Sequence, residues 1–227
     1  MDHILTNIQL GINIFLFYVV LITILLVLWQ VVRHKYNLVR LGLNYAFLFY
    51  ICCVFTLTFF PLPTLAEQAT LSGYQFQAVP FHFLCDIVRE TPFVWNQPKT
   101  YIAALLNRAV LQVVFNVFMT IPFGMYLRYN FHFNGKGVMA ASFALSAFIE
   151  IGQLTGLFFN FNGSYRLCDV DDLILNTLGG VIGYMVIKLV EKYLPAIEKF
   201  DKRIAYRVYL PFSLNHKACK EGIASVK

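Results

Sequence analysis

Apolar residues fill five long segments of the chain, and short polar stretches separate these segments. Each segment holds about 20 largely apolar residues, which is the length a helix needs to cross about 30 Å of hydrocarbon. The pattern therefore predicts an all-α protein, a polytopic transmembrane helical bundle of about five spans. The predicted spans cover approximately residues 8–32, 41–60, 102–127, 138–158 and 173–190.

The segment between the second and third predicted spans, residues 61–101, has a different character. It contains an apolar and aromatic stretch at residues 76–84, which is too short to cross a membrane and is interrupted by Pro80. One interpretation is an interfacial or re-entrant segment with its aromatic rings at headgroup depth. The other is a covering loop that packs over the helix ends.

Basic residues indicate how the spans are oriented. The loops at residues 33–40 and 128–136, together with the chain from residue 188 onward, hold 14 of the 18 Lys and Arg residues. All three regions fall on the same side of the membrane if the five spans are real. By the positive-inside rule that side is cytoplasmic. The amino terminus and the 61–101 and 159–172 loops are then predicted outside, and the carboxyl terminus inside.

The composition excludes an ordinary water-soluble domain. Hydrophobic residues make up 59% of the chain and charged residues only 13%, whereas a soluble domain is about one quarter charged. The net charge of +6 comes largely from the tail, residues 191–227, which is typical of a segment held against an anionic inner leaflet. We therefore predict membrane lipids as partners and no nucleic acid.

The five cysteines show no spacing typical of a metal site, and we predict no metal and no cofactor. A divalent ion held by oxygen atoms of Glu150, Asp169 and Asp172 is the alternative that stays open. Cys52 and Cys53 lie within an apolar segment and are interpreted as small buried hydrophobic residues. Cys85 and Cys168 both fall on the predicted outer side, where they can meet. Nothing in the spacing requires this pairing, which stays open.

Glu150 is the only acid well inside a predicted span. Ionisable groups within membrane helices are costly and commonly mark functional sites. Ser146, Glu150 and Gln153 are spaced by four and three residues and share one helix face. Gly152 and Gly156 form a small-xxx-small pair that allows close helix packing.

The fifth span begins with a group of acids and continues with glycines. One helix face carries Asp172, Asn176, Gly179 and Gly183. Asp169 is the predicted cap of this helix, and Asp171 and Asp172 suit the positive end of its dipole. Asp169 and Asp171 therefore have either a structural or a functional role. The helix face that begins with Asp172 continues into glycines and should therefore face protein.

A third polar stripe lies on the third predicted span and consists of Gln112, Asn116, Thr120 and Gly124. Such a stripe either bonds a neighbouring helix or contributes to a site, and the first is the more common role. Pro122 is expected to kink the span and free a carbonyl group.

These stripes are expected to converge at the outer end of the bundle. The predicted binding residues are Asn116, Glu150, Gln153, Arg166, Asp169, Asp172 and Asn176. The catalytic candidates among them are Glu150, Asp169 and Asp172, and an ion pair between Arg166 and Glu150 or Asp172 is expected. The predicted helix-packing residues are Pro122, Gly124, Gly152, Gly156, Gly179, Gly180 and Gly183.

The order and spacing of these residues resemble the VanZ-like membrane protein family. The matching motifs are Asn116-x5-Pro122-Phe123-Gly124, Glu150-x2-Gln153 and Arg166-x2-Asp169-x-Asp171-Asp172-x3-Asn176-x2-Gly179-Gly180-x2-Gly183. The likeness covers about residues 41–190. It implies three regions: an N-terminal helix with a basic loop (1–40), a VanZ-like transmembrane domain (41–190) and a basic cytoplasmic tail (191–227).

The resemblance also implies a place and a class of function. The family's namesake is associated with resistance to the glycopeptide teicoplanin, so a bacterial cell membrane is the expected location. The outer cluster is then expected to bind or modify a cell-wall or lipid-linked component, with a cell-wall precursor or a lipoglycopeptide as partner. Two alternatives stay open: an enzyme acting on a lipid-linked phosphate, and a small lipid or proton-coupled transporter.

Overall fold

The computed structural model describes residues 2–32 and 35–203 of the protein. The predicted all-α architecture is confirmed, since helices account for most of these residues. In chain order the helices are α1 (Asp2–Val32), α2 (Leu38–Phe59), α3 (Leu65–Thr70), α4 (His82–Glu90), α5 (Lys99–Leu105), α6 (Arg108–Phe131), α7 (Gly135–Leu154), α8 (Gly156–Phe159) and α9 (Val170–Val190). The strands have two residues each: β1 (Lys35–Tyr36), β2 (Phe76–Gln77), β3 (Cys168–Asp169) and β4 (Lys202–Arg203).

Within the described residues, four helices are long and apolar enough to cross a membrane. These are α2, α6, α7 and α9, with 22, 24, 20 and 21 residues respectively, and they correspond to four of the five predicted spans. The chain is thus a multi-pass membrane protein. Helix α1 coincides with the first predicted span, but its described apolar section, Leu16–Leu28, is shorter than a full crossing. A crossing by α1 stays a prediction.

The predicted ends of the third and fourth spans were wrong, and local capping explains why. The third span does not begin at residue 102, because Asn107 ends the preceding turn and caps α6, its side chain accepting a hydrogen bond from the Ala109 amide at 2.8 Å. The fourth span ends at Leu154 instead of residue 158, because Gly156 adopts a left-handed conformation with φ of +63°. The predicted capping of the fifth span by Asp169 is confirmed.

Helices α6 and α9 form the centre of the bundle, and glycines allow their backbones to touch. A Cβ atom on Gly124 would lie 1.9 Å from the Gly180 carbonyl oxygen, and one on Gly183 would lie 2.1 Å from that of Ile121. Helix α7 packs against the same pair, with the Ser142 hydroxyl directly over Gly180. Pro122 lies within α6 but is exposed, so it is not part of this interface.

The two ends of the bundle differ in charge. We call the end where α6 and α9 begin the acidic end, and the opposite end the basic end. At the acidic end the 61–107 segment is fastened to the 160–169 segment, because β2 pairs in parallel with β3 and the Ser164 hydroxyl accepts a hydrogen bond from the Gln75 amide at 2.7 Å. The chain between α2 and α6 therefore covers the helix ends.

At the basic end the chain that follows α9 folds back onto the bundle. Ile197 is completely buried, and its carbonyl oxygen accepts a hydrogen bond from Asn37 at 2.7 Å. Arg40 pairs with Glu198 at 2.9 Å, and Arg128 pairs with Glu191 at 2.6 Å. The predicted tail, residues 191–227, thus begins as a docked segment, and its remainder from residue 204 lies outside the described residues.

Candidate functional site

A small cleft opens at the acidic end between α4, the first turns of α6 and the start of α9. Its volume is about 30 Å³, which is enough for about two water molecules. The charged residues that line it are Asp86, Glu90, Arg108, Asp169, Asp171 and Asp172. Carboxylates outnumber cations five to one on this lining, so the cleft carries a negative potential.

Asp172 connects the cleft to the interior of the bundle. Its Oδ1 atom accepts a hydrogen bond from the Asn116 side-chain amide. Gln112, one turn before Asn116 on α6, also lines the cleft and hydrogen-bonds Asp172. Two of the predicted stripes therefore meet at this carboxylate, which is half-buried and faces the cleft.

Below Asp172 the polar residues bond one another between the helices. The Asn176 amide donates to the Ser146 hydroxyl at 2.9 Å, and the Thr120 hydroxyl donates to the Asn176 carbonyl oxygen at 2.6 Å. Asn176 is buried and is not part of the cleft lining. Asn176 itself therefore bonds the neighbouring helices, which is the commoner role of polar side chains in membrane helices.

Glu150 is buried where α7 ends against the start of α9. One of its carboxylate oxygens accepts a hydrogen bond from the Asp169 amide at 3.0 Å, and the Cys168 thiol hydrogen-bonds the same side chain. Burial raises the pKa of the Cys168 thiol to about 12, and the adjacent Glu150 adds to the effect. This cysteine is therefore a protonated donor at neutral pH and not a nucleophile. Glu150 does not line the cleft.

The two aspartates at the start of α9 have structural contacts as well as access to the cleft. The Asp169 side chain caps the helix by accepting a hydrogen bond from the Asp171 amide at 2.8 Å, while burial raises the pKa of its carboxyl group. Asp171 is buried and accepts hydrogen bonds from the Phe81 amide at 2.5 Å and the Phe83 amide at 2.9 Å. It thereby fastens the first turn of α4 to the bundle.

Replacing Asp171 by asparagine is expected to loosen the start of α4. Asparagine offers one acceptor oxygen where aspartate offers two, so either the Phe81 or the Phe83 amide loses its partner. A hydrogen bond to a charged group contributes about 1.5–3 kcal/mol, so the amide should exchange about 10–100 times faster. Hydrogen exchange measured by mass spectrometry tests this, with Leu175 in α9 as the internal reference. Unchanged exchange at both phenylalanines would contradict the assignment.

Arg166 and Gln153 occupy a different place from the one predicted. Among the described residues no ion pair joins Arg166 to Glu150 or Asp172. Instead the Arg166 guanidinium donates to the Phe60 carbonyl oxygen at 2.7 Å, and the Gln153 amide donates to that of Thr58 at 2.8 Å. Both side chains therefore satisfy carbonyl groups at the end of α2, where a cation also complements the helix dipole.

We expect Arg166→Met to lower the thermal stability of the protein. The cleft should be unchanged, because Arg166 is not one of its lining residues. The substitution leaves the Phe60 carbonyl without its donor, which costs about 1–2 kcal/mol for a half-buried charged donor. Thermal unfolding of the purified protein in detergent measures the loss, and Arg166→Lys should restore part of it. Arg89→Met, at an exposed position outside the cleft lining, is the matched control. Equal melting temperatures for the Arg166→Met and Arg89→Met variants would argue against this role.

Three charged residues of the cleft were not identified in the sequence: Asp86, Glu90 and Arg108. Asp86 also pairs with His82 through Oδ2 and Nδ1 at 3.0 Å, which brings an imidazole beside the site. The available signal was the asparagine at position 107, a typical helix cap. A helix beginning there has Arg108 and Gln112 in its first turns, level with the start of α9.

The described part of the chain contains no group of three or more His, Cys, Asp or Glu side chains arranged to hold a metal ion. Glu150, Asp169 and Asp172 do not form such a group; Glu150 accepts a hydrogen bond from the Asp169 amide and is not part of the cleft lining. Cys85 and Cys168 are both free, the first exposed and the second buried, so the pairing left open is not formed.

Comparison with known proteins places the chain in a family. No curated protein matches it. No solved structure matches it. The VanZ/LLP1 family model matches residues 47–191, a range that includes α6, α7, α9 and every residue of the cleft. The motifs at Asn116, Glu150 and Asp172 all fall within that range. Because the match covers more than half of the chain, the protein belongs to the VanZ/LLP1 family.

Proposed function

We propose that the cleft at the acidic end binds a cell-wall or lipid-linked component of the bacterial envelope, and that this binding alters sensitivity to teicoplanin-type glycopeptides. The proposal rests on the charged residues that line the cleft. Five carboxylates and Arg108 meet around one opening at the end of a transmembrane bundle. Membership of the VanZ/LLP1 family supports the link to glycopeptides.

The proposal requires the acidic end to face outwards. The distribution of Lys and Arg favours this orientation, because the basic end holds the 35–40 and 128–136 loops and the 188–203 segment, which carry nine Lys and Arg residues. In that arrangement the carboxyl terminus is cytoplasmic and, if α1 crosses, the amino terminus is outside. The cleft then opens on the side where cell-wall synthesis is completed.

The charges of the cleft indicate which ligand groups it would favour. At an effective dielectric constant of 20, two unit charges 4 Å apart interact by about 4 kcal/mol. The surplus of carboxylates therefore favours a ligand with a cationic group such as an amine. Arg108 gives the same opening one position suited to a phosphate or carboxylate. A ligand that carries both charges fits this lining better than a purely anionic one.

Expression of the protein in a teicoplanin-susceptible bacterium tests the proposal. The wild-type protein is expected to raise the growth-inhibitory teicoplanin concentration, and Glu90→Gln and Arg108→Gln are expected to lower that rise. Both residues line the cleft, are exposed and have no ion pair among the described residues, so folding should be unaffected. Lys136→Gln, at an exposed position of the basic end, is the control. Full protection by both cleft variants at equal membrane levels would refute the proposal.

The contact between His82 and Asp86 favours one alternative, an enzyme acting on a lipid-linked phosphate. A histidine held by a carboxylate can act as general base. It removes a proton from water as the water oxygen bonds to phosphorus, and it returns that proton to the ester oxygen that leaves as the phosphorus–oxygen bond breaks. Purified protein is incubated with polyprenyl phosphates and diphosphates, with and without Mg²⁺. Phosphate release that His82→Gln removes would support the enzyme. Protection against teicoplanin by a His82→Gln variant would favour the binding function.

A further inference from the structure

Helix α4 has exposed apolar residues on its outer side and two carboxylates on the side that lines the cleft. Leu84, Cys85 and Val88 are exposed, and the exposed fraction of Val88 is 82%. Asp86 and Glu90 lie on the side that lines the cleft. A surface helix of a water-soluble protein shows the opposite arrangement, because its apolar residues pack against the protein. The outer side of α4 therefore needs an apolar environment.

The apolar surface continues along α5 and onto a transmembrane helix. Ile102, Leu105 and Leu106 are exposed, Ile102 by 70%. Only Asn107 separates this turn from α6, whose Phe115 and Phe118 are also exposed. Since α6 is a membrane span, its exposed phenylalanines face lipid. The exposed apolar residues of α5 therefore adjoin that lipid-facing helix along the chain.

The link between α4 and α5 carries an aromatic group with basic residues on either side. Phe93 stacks on Tyr101 with ring centroids 5.3 Å apart, and the Tyr101 hydroxyl donates to the Trp95 carbonyl oxygen at 2.5 Å. The exposed fraction of Trp95 is 78%. Arg89 and Lys99 are exposed and take part in none of the ion pairs of the described residues. Aromatic rings and unpaired cations together are typical of headgroup depth.

We propose that residues 81–106, which we call the interfacial collar, lie in the outer leaflet with the apolar sides of α4 and α5 against lipid. The collar forms one wall of the cleft, through Phe83, Asp86 and Glu90. The cleft is thereby held at headgroup depth, and its ligand is the headgroup of an amphiphile that reaches the cleft from within the membrane. This ligand class rests on the proposed function, whereas the contact with lipid does not.

Tryptophan fluorescence tests the position of the collar. The chain has two tryptophans, so Trp29→Phe leaves Trp95 as the single reporter. The variant is placed, one copy per disc, in lipid nanodiscs whose phospholipids carry bromine either near the headgroup or near the bilayer centre. Trp95 is expected to be quenched at least about twofold more by the shallow bromines than by the deep ones, and to be shielded from aqueous acrylamide.

A charged substitution on the apolar side provides the second measurement. Ile102→Glu should reduce bromolipid quenching of Trp95 by about half and increase quenching by acrylamide, because a carboxylate disfavours burial at the interface. Thr70→Glu, at an exposed polar position in α3, should change neither. Strong acrylamide quenching without bromolipid quenching would overturn the proposal. Shielding that requires two copies in one disc would also overturn it, since it would assign this surface to a second copy. Either result leaves the teicoplanin test of the cleft intact.

Discussion

Gly179→Ala is expected to prevent stable packing of α6 against α9, whereas Gly42→Ala is expected to leave the protein folded. A Cβ atom on Gly179 would lie 2.1 Å from the Val117 carbonyl oxygen and 2.2 Å from the Thr120 hydroxyl. The first of these atoms is backbone, so relief requires the two helices to separate. Overpacking of this kind costs about 3 kcal/mol. Thermal unfolding and the fraction of monodisperse protein in detergent measure the effect.

Gly42 is a matched control because it lies within a span and a Cβ atom there would meet nothing within 4 Å. Alanine at this position should be neutral or stabilising by up to about 1 kcal/mol, because glycine is a poor helix former. Gly179→Ala and Gly42→Ala variants with the same melting temperature would contradict the packing described for α6 and α9.

A pair of substitutions separates backbone contact from side-chain contact. A Cβ atom on Gly180 would meet only the Ser142 side chain, at 1.9 Å from its hydroxyl oxygen and 2.6 Å from its Cβ. Gly180→Ala should therefore be rescued in part by Ser142→Gly. Gly179→Ala should not be rescued by Thr120→Gly, because the Val117 carbonyl remains in place. Rescue of both variants to the same extent would indicate that the helices adjust as a whole.

The helices and their polar stripes could be predicted because both depend on periodicity along the chain. Length and hydropathy identified α2, α6, α7 and α9, and helical spacing placed Asp172 and Asn176 on a stripe that faces protein. The contact between Asn116 and Asp172 follows from two such stripes on adjacent helices. Close helix packing through glycines could also be predicted from the sequence, since small residues allow membrane helices to approach one another.

The composition of the cleft could not be predicted, because it depends on how a long loop folds back. Asp86 and Glu90 reach the site only through α4, which is held by Asp171 and by the pairing of β2 with β3. The role of Arg166 was misjudged for a related reason. Nearby acids suggested an ion pair, but the carbonyl groups at the end of α2 lack helical partners and are its actual acceptors. No sequence pattern indicates that residues 60 and 166 are neighbours.

Asp172→Asn is expected to abolish the protection against teicoplanin that the wild-type protein confers, while Glu150→Gln is expected to preserve it. Asp172 lines the cleft, and asparagine retains an oxygen for the Asn116 amide while removing the negative charge. Loss of one charge next to a cationic ligand group weakens binding by at least about tenfold, which corresponds to 1.4 kcal/mol. Growth inhibition by teicoplanin measures the effect in cells with equal amounts of each variant.

Glu150→Gln is the matched control because it makes the same chemical change one helix away. Glutamine retains an oxygen for the Asp169 amide, and position 150 lies outside the cleft lining. Each variant keeps an acceptor for one of its two partners and loses the acceptor for the other, Gln112 at position 172 and Cys168 at position 150, so the two melting temperatures should fall by similar small amounts. If Glu150→Gln removes protection and Asp172→Asn does not, the functional group is the buried carboxylate at the end of α7. The site would then lie inside the bundle, between α7 and the start of α9, and the cleft would be only its outer edge.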